Sequence, residues 1–130
     1  MYAIDNQSRK AVFEQIIEQT ERFVLTGILG SDCPMPSVRS MSLELSVNPN
    51  TVQKAYSELE RRGVIYVIPG KGSFVSPDAR DKLAHDRLAL LGMIEQQAFE
   101  CSLAGVPKEM LYDAVDNGYR RNGGKQDDQN

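Results

Sequence analysis

The pair Asn48-Pro49 is the feature that most constrains the fold of this 130-residue chain. Asparagine is a favoured N-cap residue, and proline suits the first helical position because its missing N–H would have no partner there. The pair therefore predicts a helix that begins at Pro49, and Gly63 predicts a left-handed stop after Arg62. A shorter helix is predicted just before the pair, with Ser37 as its N-cap. Two short helices joined by the tight turn SVNP have the layout of a helix-turn-helix.

Apolar residues at helical spacing predict the buried face of each helix. The helix that begins at Pro49 has such a stripe at Val52, Ala55, Tyr56 and Leu59. The preceding helix is expected to face inward through Val38, Met41 and Leu45. A first helix is expected from about Arg9 to Leu25, N-capped by Ser8, with a core face formed by Phe13, Ile16, Ile17, Phe23 and Val24. Three helices with these faces predict one small core.

A β-hairpin is predicted directly after the third helix. The run VIYVI is β-branched and aromatic, and the run SFVS follows it across a Pro-Gly-Lys-Gly turn. Gly70 and Gly72 permit positive φ angles and close backbone approach, and Lys71 between them is placed to reach a phosphate or a minor groove. The alternative interpretation is a plain hairpin turn. After a helix-turn-helix, such a hairpin predicts a wing.

The face of the third helix opposite the apolar stripe carries short polar side chains: Asn50, Thr51, Gln53, Lys54 and Ser57. Amides such as Asn50 and Gln53 can pair with adenine through two hydrogen bonds, and Thr51 can contact a thymine methyl or a phosphate. Lys54 is better suited to a phosphate. This surface lies at the N-terminal end of the helix, where recognition helices contact base edges. Any amphipathic helix has a polar face, however, so this face alone does not establish DNA binding.

The first turn of the second helix adds a candidate phosphate site. Ser37 and Arg39 lie there, next to unpaired N–H groups and the positive end of the helix dipole. A guanidinium in that position can hold a phosphate with two donors. The alternatives are an ordinary cap and a surface arginine. Together with the polar helix face and the wing, these residues predict a DNA-binding surface.

The charge distribution fits a modest nucleic-acid binder. The net charge is −3, but residues 36–76 carry five basic and three acidic groups and are the only third of the chain with a positive balance. A localised basic surface acts on phosphates at short range, because salt screens charges beyond about 10 Å at 0.1 M ionic strength. We therefore expect moderate affinity for DNA with clear salt sensitivity.

The remainder of the chain predicts a short helical unit. We expect a winged helix-turn-helix domain over residues 1–77, a two-helix region over residues 78–119 and a disordered tail over residues 120–130. A helix of about 25 residues is expected from Asp78, and Pro107 is expected to open another. The apolar face of the long helix is expected to pair with a second copy of the chain through Leu83, Leu88, Leu91, Ile94, Ala98 and Phe99. The alternative is that these helices fold back on their own domain.

The segments AVFEQI, MPSVRSMSLELSVNPNTVQKAYSELERRGVIY and GKGSFV resemble the winged helix of GntR-type bacterial transcription regulators, over about residues 10–76. VNPNTVQKAY and the short C-terminal part resemble the YtrA subfamily. The resemblance implies a homodimeric, repressor-like regulator of a pseudo-palindromic operator. It also implies DNA contacts at Arg39, Asn48, Asn50, Thr51, Lys54, Gly70 and Lys71. Pro49 stands where other branches of the family place a base-reading arginine, which shifts the expected readout to Asn50 and Gln53.

Other classes of function find little support in the sequence. It has no nucleophile–base pair, phosphate loop or Cys/His cluster, so we expect no enzyme activity, no metal and no cofactor. His85, the only histidine, is expected at a solvated helix position. The absence of a long apolar run and of a signal-like start predicts a cytoplasmic protein without a membrane span. A winged-helix protein-interaction module without direct DNA readout is the alternative function, and a small-molecule effector is left open.

Overall fold

The computed structural model describes residues 1–123 and forms two compact units, one from Met1 to Asp86 and one from Arg87 onward. The fold is mainly α-helical with one β-hairpin, as the sequence predicts. The helices and strands are, in chain order, α1 Val12–Leu25, α2 Val38–Leu45, α3 Pro49–Arg61, β1 Ile65–Ile68, β2 Gly72–Val75, α4 Ala79–Asp86, α5 Leu90–Leu103 and α6 Lys108–Arg120. A single 3₁₀ turn, Arg87–Ala89, stands between α4 and α5.

Helix α1 begins later than predicted, at Val12, and Ser8 is not its N-cap. The Ser8 hydroxyl instead accepts a hydrogen bond from the Lys10 N–H at 3.1 Å, within a turn that precedes the helix. The Gln15 side-chain amide donates to the carbonyls of Asp5 and Lys10, at 2.9 and 3.0 Å. These bonds fasten the N-terminal segment along the helix and hold the Lys10 carbonyl outside the helical ladder. Ser8 therefore stabilises a turn before α1 and does not cap the helix.

The predicted starts of α2 and α3 are confirmed. The Ser37 side chain accepts from the Ser40 N–H at 3.0 Å, and the Asn48 side chain accepts from the Asn50 N–H at 2.8 Å. The chain leaves α2 through Ser46, whose φ of +55° is left-handed. A left-handed conformation is uncommon for a residue other than glycine, and here it turns the chain so that α3 begins three residues later, at Pro49.

The core of the first unit lies between α1, α2, α3 and the hairpin. The predicted stripe of α3 is confirmed, because Val52, Ala55, Tyr56 and Leu59 are all buried. Other buried side chains come from each neighbouring element: Ile16, Ile17, Val24, Met41, Ile65 and Val75. Helix α3 packs against both α1 and α2. The core therefore fixes which face of α3 remains in contact with solvent.

The hairpin pairs β1 and β2 in antiparallel register, from Ile65 opposite Val75 to Ile68 opposite Gly72. The segment before α2 pairs with the outer side of β2. The Met35 N–H donates to the Ser73 carbonyl at 2.8 Å, and the Val75 N–H donates to the Cys33 carbonyl at 2.9 Å. The wing is thus backed by a third extended segment, which anchors it to the helix-turn-helix.

The predicted helix of about 25 residues is wrong, because the 3₁₀ turn interrupts it after Asp86. Ala79 and Leu83 lie one helical turn apart on α4, and both are buried in the core of the first unit. Leu83 is therefore not part of an exposed dimerisation face, in contrast to the sequence-based expectation. The structure ends the first unit after Asp86 rather than after Pro77, because α4 packs against α1.

The second unit consists of α5 and α6. Helix α5 ends at Leu103, and Gly105 follows it with a left-handed φ of +77°. Pro107 is the residue before α6 rather than its first residue. Of the tail predicted to be disordered, Arg120 ends α6 and residues 121–123 form a turn, while residues 124–130 lie outside the described residues. Within residues 1–123, no helix combines the length and the apolar character that crossing a bilayer requires.

Candidate nucleic-acid interface

The N-terminal half of α3 presents polar side chains to solvent, as predicted. Asn48, Asn50 and Gln53 are exposed, and Thr51 is half-buried. The side-chain oxygen of Asn48 is engaged in capping the helix, so its amide nitrogen is the group left for another partner. Gln53 donates a hydrogen bond to the Ser57 hydroxyl at 3.1 Å, one turn further along. Amide groups that are exposed and aligned on one helix face can pair with base edges.

The start of α2 offers a second point of contact. Ser37 and Arg39 are both exposed, and Arg39 makes no hydrogen bond or ion pair with any of residues 1–123. The Tyr56 hydroxyl of α3 donates to the Pro36 carbonyl, just before the cap, at 2.6 Å. Burial raises the pKa of this tyrosine, so it stays protonated and keeps its donor at any physiological pH. The first turn of α2 is therefore held in place by α3 itself.

The wing offers a third point of contact. The Lys71 N–H donates to the Ile68 carbonyl at 2.9 Å and closes the turn. Gly70 and Gly72 have φ angles of +81° and +119°, as the sequence predicts for this turn. All three residues of the Gly-Lys-Gly tip are exposed, and a Cβ built on either glycine meets no other atom within 4 Å. The backbone at the tip is thus open to close approach by a groove.

Some basic side chains on this part of the surface already form ion pairs with a carboxylate, and others do not. Arg39, Lys54 and Lys71 form no ion pair within the described chain. Arg61 and Arg62, near the C-terminal end of α3, both bind Glu58. Those hydrogen bonds, from Arg61 first and then Arg62, lower the pKa of the Glu58 carboxyl to about 2. The cations left for phosphates are those at the start of α2, on the face of α3 and at the wing tip.

Lys54 has a neighbour that the sequence did not predict. Its ammonium group lies 3.9 Å from the centre of the Phe13 ring of α1. A cation over an aromatic face is attracted at this distance, by about 0.5–1 kcal/mol at an exposed site. Lys54 remains exposed, so this attraction holds the ammonium at the surface without burying it.

The sequence predicts Tyr56 in the core but does not predict its hydrogen bond to the Pro36 carbonyl. A tyrosine, rather than a phenylalanine, at a buried position is the available signal, because a buried hydroxyl needs a partner. His85 is exposed on α4. Across residues 1–123, no group of three or more His, Cys, Asp or Glu side chains is arranged to hold a metal ion.

Three helices around one core, a left-handed turn into α3 and a hairpin with a Gly-Lys-Gly tip define a winged helix-turn-helix protein. Comparison with known proteins agrees with this class: residues 13–75 match the family described as bacterial regulatory proteins, gntR family. The HTH-type transcriptional repressor YtrA of Bacillus subtilis (strain 168) is 35% identical over 116 residues, which cover 88% of this chain and 89% of that protein. The chain belongs to the GntR family and is a DNA-binding transcription regulator.

Solved structures show the same relationship. A transcriptional regulator from Oenococcus oeni superposes with a TM-score of 0.71 at 32% identity, covering 90% of this chain and 98% of that one. YtrA from Sulfolobus acidocaldarius, a GntR-family transcription factor, superposes with a TM-score of 0.62 at 27% identity, covering 76% of this chain and 97% of that one. The resemblance to the YtrA subfamily, inferred from the motifs, is confirmed.

Proposed function

We propose that the chain is a homodimeric repressor that binds a pseudo-palindromic operator through α2, α3 and the wing. The observation that carries the proposal is the solvent-exposed amide face at the start of α3, which the core leaves free. The repressor role is supported by the 35% identity to a protein named as a transcriptional repressor. Regulation is by binding rather than by catalysis, and it takes place in the cytoplasm, where bacterial DNA lies.

Each residue of the interface has a distinct part in this proposal. Asn50 and Gln53 read base edges in the major groove, where an amide pairs with adenine through two hydrogen bonds. Thr51, which is half-buried, contacts a backbone phosphate or a thymine methyl beside them. The unpaired cations Arg39, Lys54 and Lys71 hold phosphates and fix the register. Gly70 and Gly72 let the wing tip lie close to the duplex.

The supporting Ser37 and Asn48 side chains act mainly as caps. Each accepts a hydrogen bond from an N–H in the first turn of its helix. In α2 the N–H groups of Val38 and Arg39 have no acceptor within residues 1–123. In α3 no such group is left, because Pro49 lacks an N–H and the next N–H groups are bonded to Asn48. Unpaired N–H groups at a helix start attract a phosphate, because they combine donors with the positive end of the helix dipole. The start of α2 is therefore suited to a backbone phosphate, beside the guanidinium of Arg39.

Dimerisation is proposed to occur through the second unit. Leu88, Leu91, Ile94 and Phe99 are each more than half exposed, at 58%, 63%, 53% and 53%. Ala98 is half-buried in an apolar groove of about 440 Å³ between α5 and α6. Exposed apolar patches of this kind are rare on monomers and mark interaction sites. A second copy would cover the same surface on both chains, and a two-fold axis would present two recognition helices to two half-sites.

Salt dependence of operator binding tests the phosphate contacts. Three contacts per chain give six per dimer, so the slope of log K against log salt should be about −5. Arg39→Ala removes one contact per chain and should make the slope less steep by about 2, with loss of affinity on every sequence. Arg9→Ala, at an exposed site outside the interface, should leave the slope unchanged. Equal slopes for Arg39→Ala and the parent would remove this residue from the interface.

Light scattering after size exclusion tests the dimer. The parent should elute with twice the mass of one chain at micromolar concentration. Leu91→Glu places a charge in the apolar face and should yield monomers, whereas Gln96→Glu, an exposed site on the same helix, should remain dimeric. A parent that is monomeric at micromolar concentration contradicts the proposal.

A further inference from the structure

Within the described residues, the second unit has no core of its own. In the first unit every helix and both strands contribute buried apolar side chains to one cluster. Among residues 87–123, by contrast, no residue is buried in the single chain. The residues of this range that are at least half-buried are Ala98, Cys101, Val106 and Leu111. The apolar side chains of α5 and α6 therefore remain largely in contact with water when the chain is alone.

A helical unit of this size needs a further source of stability. Helices α5 and α6 contain 14 and 13 residues, and isolated helices shorter than about 15 residues are marginal in water. Folded units of fewer than about 40 residues usually depend on a disulfide, a metal or oligomerisation. Cys101 is a free thiol, and no group of three or more potential metal ligands lies within residues 1–123. Association with another chain is the source of stability that remains.

The surface that association would bury extends over both helices. Leu91 and Ile94 on α5 and Met110 on α6 are each more than half exposed, and Val115 on α6 is nearly so. Ordering the two helices costs conformational entropy, and a single chain does not recover this cost because its apolar groups stay hydrated. A second copy presents the same apolar surface, so one contact removes these groups from water in both chains.

We infer that the second unit is unfolded in the monomer and folds only when two copies associate. This inference rests on the proposed dimer and adds that dimerisation and the folding of α5 and α6 are one event. The first unit has its own core, so a dissociated chain keeps a folded DNA-binding surface. An operator with two half-sites holds two chains close together and thereby promotes folding of the second unit, because it raises the local concentration of one chain around the other.

Hydrogen exchange of the full chain, measured by mass spectrometry at micromolar concentration, tests this inference. In the dimeric parent, the backbone amides of α5 and α6 should exchange at least about 100-fold more slowly than in an unstructured peptide. In Leu91→Glu they should exchange at the rate of an unstructured peptide, while the amides of α1 and α3 keep the parent's protection. Gln96→Glu, the matched control on the same helix, should remain dimeric and protected.

The change at Leu91 does not by itself unfold a helix that is stable in the single chain. Leu91 is exposed there, so the new carboxylate enters no core, and glutamate favours helices about as well as leucine does. Loss of protection in Leu91→Glu would therefore result from loss of the partner.

Dilution of the unmodified chain gives a second route to the monomer. Circular dichroism should show that the helical signal of α5 and α6 is lost as the protein concentration falls below the dissociation constant of the dimer. The signal of the first unit should remain. On heating, the unfolding temperature of the second unit should rise with protein concentration, because association stabilises it by mass action, and that of the first unit should not.

The outcomes separate this inference from the proposed dimer. Protected α5 and α6 amides in a monomer, obtained either by Leu91→Glu or by dilution, would overturn the inference and leave the dimer in place. A parent that is monomeric at micromolar concentration, with unprotected α5 and α6 amides, would contradict the dimer but support the absence of a fold in the single chain. A monomeric parent with protected α5 and α6 amides would overturn both.

Discussion

The hydrogen bond from the Tyr56 hydroxyl to the Pro36 carbonyl should stabilise the helix-turn-helix measurably. Tyr56 is 4% exposed, and the 2.6 Å bond is the link between α3 and the residue before the α2 cap. Tyr56→Phe keeps the ring packing but leaves the Pro36 carbonyl without this donor. Loss of a neutral hydrogen bond that leaves a partly buried acceptor costs about 1–2 kcal/mol. For a domain of this size, that corresponds to a fall in Tm of roughly 5–15 °C.

Thermal unfolding by circular dichroism, at equal protein concentrations, measures the difference. Tyr112→Phe is the matched control, because Tyr112 is 58% exposed and its hydroxyl has no partner in the described residues. The control should melt within about 1–2 °C of the parent, as surface changes usually do. If Tyr56→Phe melts with the control, the hydroxyl does not hold α2 against α3, and the positioning of Arg39 must have another cause.

Two further predictions concern the charge and the cap of α3. Glu58, with its pKa held near 2 by hydrogen bonds from Arg61 and Arg62, stabilises the fold above its ordinary pKa of 4.5 and loses that contribution as the pH falls toward 2. The free energy of unfolding, measured with urea at several pH values, should therefore fall less toward acidic pH in Glu58→Gln than in the parent. Parallel curves of this free energy against pH would contradict the prediction. Asn48→Ala should cost about 1 kcal/mol in the same assay and Asn48→Asp much less, since aspartate also caps; equal losses would show that the cap is not the cause.

The helix-turn-helix could be predicted from the sequence because its signals are local. Asn48 and Pro49 determine where α3 begins through hydrogen bonding and backbone geometry within a few residues. The apolar stripe through Val52 and Leu59 needs only the helical period to indicate which face is buried. The exposed polar face follows by exclusion, so the residues proposed for DNA contact could be named before the fold was known.

The predictions from the sequence are wrong where residues distant along the chain determine the local structure. Ser8 is a favoured N-cap residue by type, but the Gln15 side chain binds the carbonyls of Asp5 and Lys10 and holds this segment in a turn before α1. Leu83 continues an apolar pattern that reaches Phe99, yet α4 packs against α1 and a 3₁₀ turn interrupts the helix after Asp86. The sequence has no proline or glycine between residues 79 and 91 that would signal this break.

Base preference at single-position resolution is the most direct test of the claim that the amide face of α3 reads DNA. Selection of binding sites from a random library should give two related half-sites for the parent. Asn50→Ala should lose about 1–3 kcal/mol of discrimination at one position in each half-site and keep the others, while Glu60→Gln, exposed further along α3, should select the parent's sequence. An unchanged profile for Asn50→Ala would contradict the account.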